Sequence, residues 1–512
     1  MNARLDLALA ATLLGLLAPA CTDQSAVAPS AVAPPTSSPG GFSAFVTCEV
    51  TVSTATLSCG QATAAPTSGP EAGKSGIDRS AVTLGGQGTY VQLTSSGTAY
   101  DGSSVFTSIV TVRNLTTQSM NTTNGTTADT GGVKVFFNSG PSVTGGTGTV
   151  TVENPDGTGM FTGTAQPFFK YSSGVVLASG GTTAAKTWQF TVPNTVTSFV
   201  FTVYVTTQIP GTQVSPLLLY VLNRGTVVSS IQVYGAGANG TVAPLGTIAG
   251  TNTGLLGPYG IVVDGAGNIY VANAGFTGTN GLDITIYSAG VYGNVAPAAA
   301  IPVSEGPVGM ALDGAGNLYV TTGEPGIEVH GSGSGYTLTA TITGAATGLY
   351  EEPGGIAVGG GNIYATNQAT FFNSGVTSEG PSVTVYATAG LSGTVNLAPT
   401  DTIVGDNTDL VLPEGIAVDA AGNIYVANFE GNTITVYAAG ANGNATPMAV
   451  IAGDSTGLSA PWGIVLDGAG HIYVSNSDNN TITVYPAGAN GDVVPTATIQ
   501  GTGLSNPLYI AF

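Results

Sequence analysis

Positive charge is scarce in this chain: eight Lys and Arg residues stand against 28 Asp and Glu, for a net charge of −20 over 512 residues. A surface of that sign repels phosphate backbones, so nucleic acid is not an expected partner. Histidine is scarcer still, with only His330 and His471, too few for a Ser-His-Asp arrangement of the usual kind. There are three cysteines, Cys21, Cys48 and Cys59. Beyond the first twenty residues no run approaches the roughly 18 uninterrupted apolar residues that span a membrane, so any anchor is expected at the N-terminus. Long stretches of helical period are also missing, while glycine reaches 77 residues. The chain therefore reads as all-β, in about two domains.

What is present is a repeat. Pro461 opens "PWGIVLDGAGHIYVSN", followed by Thr481 to Tyr485, "TITVY". Related stretches open at Pro258, Pro307, Pro353 and Pro413, with spacings of 49, 46, 60 and 48 residues. A period near 50 built of short strands indicates a propeller or a solenoid. Within a copy, Ile416 to Val418 ends in Asp419, a Gly/Ala/Asn turn leads to Ile424 to Ala427 and Asn428, and Ile434 to Tyr437 alternates as a half-buried strand. A fourth strand, Ala449 to Ile451, follows the loop "AGANGNATP". Four antiparallel strands are one propeller blade. The final stretch, Pro507 to Phe512, holds only a first strand, and the three strands it needs lie at Leu217 to Asn223, Ile231 to Tyr234 and Thr247 to Ile248. Six blades are expected, one assembled from both ends of residues 213–512, which leaves no open sheet edge.

The N-terminal part has another character. Residues 1–20 read as an export signal, with Arg4 before a short apolar core and Ala18-Pro19-Ala20 as a small-x-small cleavage site. Cys21 follows directly, an arrangement that resembles a bacterial lipoprotein signal and implies lipidation of Cys21. The protein is then expected in the bacterial cell envelope, touching membrane only through that anchor, with ordinary secretion as the alternative. Residues 21–41 are a Pro/Ser/Ala-rich tether. Cys48 and Cys59 bracket two short strands and are expected to pair, as an oxidising compartment permits. Residues 42–212 hold strands near Tyr90–Leu93, Val105–Val112, Val133–Phe137, Gly148–Val152, Met160–Thr164, Thr187–Val192 and Ser198–Val205. Their number and spacing point to a β-sandwich, with an immunoglobulin-like topology open.

The unit "PxGIAVDxxGNIYVAN…NTITVY" resembles the NHL repeat and, more loosely, the six-bladed propellers of streptogramin lyase and gluconolactonase. The resemblance covers residues 217–512 and implies a fold rather than an activity. In that half Arg224 is the sole Lys or Arg against 19 acids, a net charge of −18. The Asp264, Asp313, Asp419 and Asp467 carboxylates are expected to accept turn N–H groups. The loops leading each blade and the turns after its second strand share one face. That face is expected to present Tyr259, Glu414, Trp462 and Leu508 with Asn273, Asn367, Asn428 and Asn476, and an insertion places Phe371 and Phe372 nearby. Aromatic residues of this kind concentrate at recognition sites. The expected role is binding or scaffolding, the acidic face recognising a protein or a polysaccharide outside the cytoplasm, with no catalytic residue and no cofactor assigned. The alternative is a metal-assisted lyase or lactonase, in which Glu414, Asn428 and Asn476 would hold calcium or magnesium.

Overall fold

A computed structural model of the protein describes residues 45–61, 82–84, 87–159, 161, 164–172, 174–210, 217–225, 229–275, 282–333, 335–350, 353–368, 380–501 and 503–512. The expected signal, Cys21, the tether, Phe371 and Phe372 lie outside these residues. Strands are the only extended regular structure among the described residues, and none of these residues forms a helix long and apolar enough to cross a membrane.

Two sheets make up the N-terminal region. One runs Thr56–Gln61, Val46–Thr51, Val196–Thr207, Val133–Gly146, Gln166–Tyr171 and Gly157–Gly159, with Val82–Leu84 also paired to Val196–Thr207. The other runs Val91–Tyr100, Val105–Asn114, Lys186–Thr191 and Thr151–Val152. Alternation along Val105–Asn114 turns Phe106, Ser108, Val110 and Val112 inward. They join Phe137, Phe169, Trp188, Phe190, Phe199 and Phe201 in one core shared by both sheets. Trp188 is fully buried, stacks on Phe169 at 4.9 Å, and donates its indole N–H to the Tyr171 hydroxyl at 2.8 Å. Cys48 and Cys59 face each other across adjacent strands and are bonded. Of the strand expected at Met160–Thr164, only Phe161 and Thr164 are among the described residues, and neither lies in a strand. Phe161 instead stacks on Phe136 at 4.2 Å, and strand pairing resumes at Gln166.

Five sheets of four antiparallel strands begin at Pro258, Pro307, Pro353, Pro413 and Pro461, and those at Pro307 and Pro461 each gain a fifth, parallel strand, Gly393–Val395 and Gly240–Thr241. A sixth joins Gly246–Ala249, Ser230–Gly235 and Leu218–Asn223 to Pro507–Ala511, so both ends of the repeat region meet in one sheet. Each first strand contacts the first strand of the next sheet, and Pro507–Ala511 contacts Pro258–Val263, closing a ring. The glycine of each Pro-x-Gly is fixed by this closeness. A Cβ on Gly260, Gly309, Gly355, Gly415 or Gly463 would come within 2.7 Å of the next sheet's carbonyl oxygen, at Val308, Gly354, Glu414, Trp462 and Leu508 respectively.

Outer loops lock neighbouring sheets together. Asn442 and Asn444 accept the N–H groups of Thr402 and Asn407 in the preceding sheet at 2.9 and 2.7 Å. Asn490 and Asp492 do the same for Val450 and Ser455, at 2.9 and 2.8 Å. Asn239 accepts from Thr498 at 3.0 Å, a second closure beside the shared sheet. Apolar side chains fill the spaces between sheets in several small clusters, such as Ile416 with Ala357, Tyr364 and Val426.

The two regions touch. Arg113, on a sandwich strand, reaches Asp467 Oδ2 at 2.5 Å, the Tyr473 hydroxyl at 2.7 Å and His471 Nδ1 at 3.2 Å. Leu115, Leu217 and Ala236 add a small apolar contact against Phe512.

Candidate functional site

Residues that recur from sheet to sheet build the sheets. Asp419 Oδ1 accepts the N–H groups of Ala421 and Asn423 at 2.9 and 2.8 Å, while Oδ2 accepts the Asn423 amide at 2.8 Å and the Tyr425 hydroxyl at 3.3 Å. Asp264 and Asp313 repeat this arrangement. Burial pushes these three carboxyls up, but the hydrogen bonds outweigh it and their net pKa is lowered. Asp467 is lowered as well: burial opposes, and His471 and Arg113 prevail.

The asparagines correct the expected exposed ring. Asn273, Asn367, Asn428 and Asn476 are fully buried. Asn428 accepts the Val411 N–H at 3.1 Å and donates to Thr433 and Thr435, each at 3.1 Å. Asn476 accepts from Ser459 at 3.1 Å and donates to Thr481 and Thr483 at 3.3 and 3.0 Å. Asn273 donates likewise to Asp283 and Thr285, and Asn367 to Ser382 and Thr384. The amides of Asn273, Asn428 and Asn476 tie the loop leading each sheet to its third strand, and on that third strand Tyr437 donates to Thr408 O. The recurrence of "NTITVY" already carried that signal. Leu508 is also buried rather than presented.

Residues that break the repeat gather at one mouth of the ring. The middle position of Pro-x-Gly is occupied by Tyr259, Val308, Gly354, Glu414, Trp462 and Leu508, and Tyr509 replaces the glycine of the sixth copy. A β-bulge lies at this position in each of the five sheets from Pro258 to Pro461, a device that re-aims side chains. Tyr259 is half-buried; Arg224 donates to its hydroxyl at 2.6 Å, with the guanidinium 4.2 Å from the ring centroid. Glu414, 3% exposed, accepts the Gln368 amide at 2.6 Å. Trp462 is half-buried and meets Phe429 edge-on at 5.2 Å.

Tyr509 lies among these groups. Burial raises its pKa well above the ordinary range; the Glu414 carboxylate and Tyr259 add to the rise, and the nearby Trp462 indole opposes it. That indole N–H and the Tyr509 hydroxyl are not aligned for a hydrogen bond. Both atoms are buried without a hydrogen-bond partner among the described residues. Of the exposed residues expected on this face, Tyr259 and Trp462 are in place, and Glu414 stands behind Gln368. Arg224, Gln368 and Tyr509 were missed, and each departs from the repeat at its position.

Among the described residues no three His, Cys, Asp or Glu side chains converge as a metal site. Of the expected ligand set, Asn428 and Asn476 hold their amides in hydrogen bonds within their own sheets, and Glu414 accepts from Gln368. The remaining unusual polar groups are structural. The Pro307 sheet has a short leading loop, and where other sheets use Thr and Tyr it has Glu328 and His330. Glu328 accepts from Ser304 and pairs with His330 at 3.0 Å, both side chains being buried. Burial raises the Glu328 carboxyl, and hydrogen bonds from His330 and Ser304 bring it below the usual range.

Residues 410–437 and 458–485 match the NHL repeat family. These two stretches are NHL repeats, and the sheet arrangement of the C-terminal half is that of a β-propeller. No curated protein sequence matches the chain. Among solved structures, a protein of unknown function from Bacteroides caccae is 10% identical, with 57% of this chain covering 98% of that one at a TM-score of 0.41. A streptogramin B lyase structure is 14% identical, covering 57% of this chain and 87% of its own at a TM-score of 0.38. Glutaminyl cyclase from Myxococcus xanthus is 14% identical over 44% of this chain and 87% of its own, at 0.29. Likenesses this distant transfer no activity.

Proposed function

We propose that this is an exported binding protein whose six-bladed propeller holds a polysaccharide at the Pro-x-Gly mouth. The single observation that supports the reading is the gathering of non-repeating side chains there: Arg224, Tyr259, Gln368, Glu414, Trp462 and Tyr509. Aromatic faces pack against the C–H faces of sugar rings, and the Gln368 amide, backed by the Glu414 carboxylate, suits sugar hydroxyls. The two N-terminal sheets form a sandwich domain, residues 42–212, of immunoglobulin-like kind, that carries the propeller. Residues 1–20 direct export, and Cys21 is the site of a lipid anchor to the cell envelope. A protein partner is the competing outcome.

The test is a glycan array probed with the full chain and with Trp462→Ala. Binding of glycans by the parent chain, weakened about tenfold or more in the variant, supports the reading; loss of one buried aromatic contact is worth that much. An array that stays dark, with capture of an envelope protein instead, sinks it. Phase partition of the parent and Cys21→Ala proteins in detergent checks the anchor.

A further inference from the structure

Arg224 is the sole cation among residues 217–512, and it stands at the mouth. The described acids nearest in kind are engaged elsewhere: Glu414 by Gln368, Asp283 by Asn273, and Asp264 by its own turn. The ion pairs among the described residues are Arg113–Asp467, Lys186–Asp156, His330–Glu328 and His471–Asp467. Arg224 is in none of them. Among the described residues its side chain meets Tyr259, through one N–H to the hydroxyl and the ring beneath it. A guanidinium carries five donors in a planar fork that matches a carboxylate, and stacking on Tyr259 fixes the fork's plane before any ligand arrives.

We propose that the mouth recognises a sugar bearing one carboxylate, a uronate at a chain end, with Arg224 pairing the carboxylate and Tyr259 and Trp462 flanking the ring. This rests on the polysaccharide reading and narrows it. The charge balance decides between one carboxylate and many. With a net charge of −18 in this half, a polyuronate would be repelled at every unit beyond the mouth, within a screening length of roughly 8–10 Å. A single terminal carboxylate meets the one cation and leaves the rest of the chain neutral.

The experiment is calorimetric titration of the full chain with cellobiouronic acid, its methyl ester and cellobiose, repeated on Arg224→Gln and Arg224→Lys. The acid is expected to bind about ten- to a hundredfold tighter than the ester, the worth of a charge-assisted hydrogen bond. Arg224→Gln should bring acid and ester to equal affinity, and Arg224→Lys should keep part of the preference. Equal affinity for acid and ester on the parent chain overturns the inference whatever the variants do, yet leaves the polysaccharide reading standing. Failure of all three sugars to bind, together with a dark array, overturns both.

Discussion

The sandwich and the propeller solve burial differently. In the sandwich one core draws Phe106, Phe137, Phe169, Trp188, Phe190, Phe199 and Phe201 into mutual ring contact. In the propeller, burial is divided among small clusters between adjacent sheets, and the same Asp, Asn, Thr and Tyr hydrogen bonds are made again in successive copies. A single core concentrates the consequence of one substitution, whereas a ring spreads it over many equal parts. The ring also leaves its axis free of structural duty, which is where the non-repeating residues collect.

Trp188→Ala tests the concentrated core most severely. It should cost about 3–5 kcal/mol, seen by calorimetry as a sandwich transition moved to lower temperature while the propeller transition stays. Equal movement of both would mean that the regions unfold as one. Arg113→Ala probes the seam between them. Removing the guanidinium leaves the buried Asp467 carboxylate with the His471 ring and the N–H groups of Ala469 and His471 but without its cation, for which about 3 kcal/mol is expected; the two transitions should draw apart, and an unchanged profile would show that the ion pair does not couple them. The smallest effect belongs to Tyr437→Phe. It deletes one of the repeated hydroxyl bonds, to Thr408 O, and should cost about 1 kcal/mol in denaturant unfolding. A loss several times larger would contradict the view that the ring shares its load.

The fold was legible because it is written several times. Four short strands per copy, the split sixth copy and the Asp-turn contacts all follow from recurring residues, and the Cys48–Cys59 pair follows from its bracketed hairpin. The site was half legible for the same reason turned around. Asn273, Asn367, Asn428 and Asn476 recur at the ends of second strands, and recurrence marks them as parts of the scaffold; their amides make hydrogen bonds inside the sheets instead of facing solvent. Arg224, Glu414, Trp462 and Tyr509 each occur once at their repeat position. Their meeting depends on ring closure over hundreds of residues, which no local pattern records. The short leading loop of the Pro307 sheet shows the same dependence, since Glu328 and His330 make sense only once Ser304 is seen against them.

The closing strand Pro507–Ala511 sets a schedule for synthesis. Its partner Asn223 accepts a hydrogen bond from Ser505, 282 residues later. At about 5–20 residues per second, a ribosome needs roughly a quarter of a minute to a minute to cover that stretch. For all that time Leu218–Asn223 is a bare edge of the kind that recruits foreign strands. A chain of this design therefore gains from staying unfolded until its closing strand has been made.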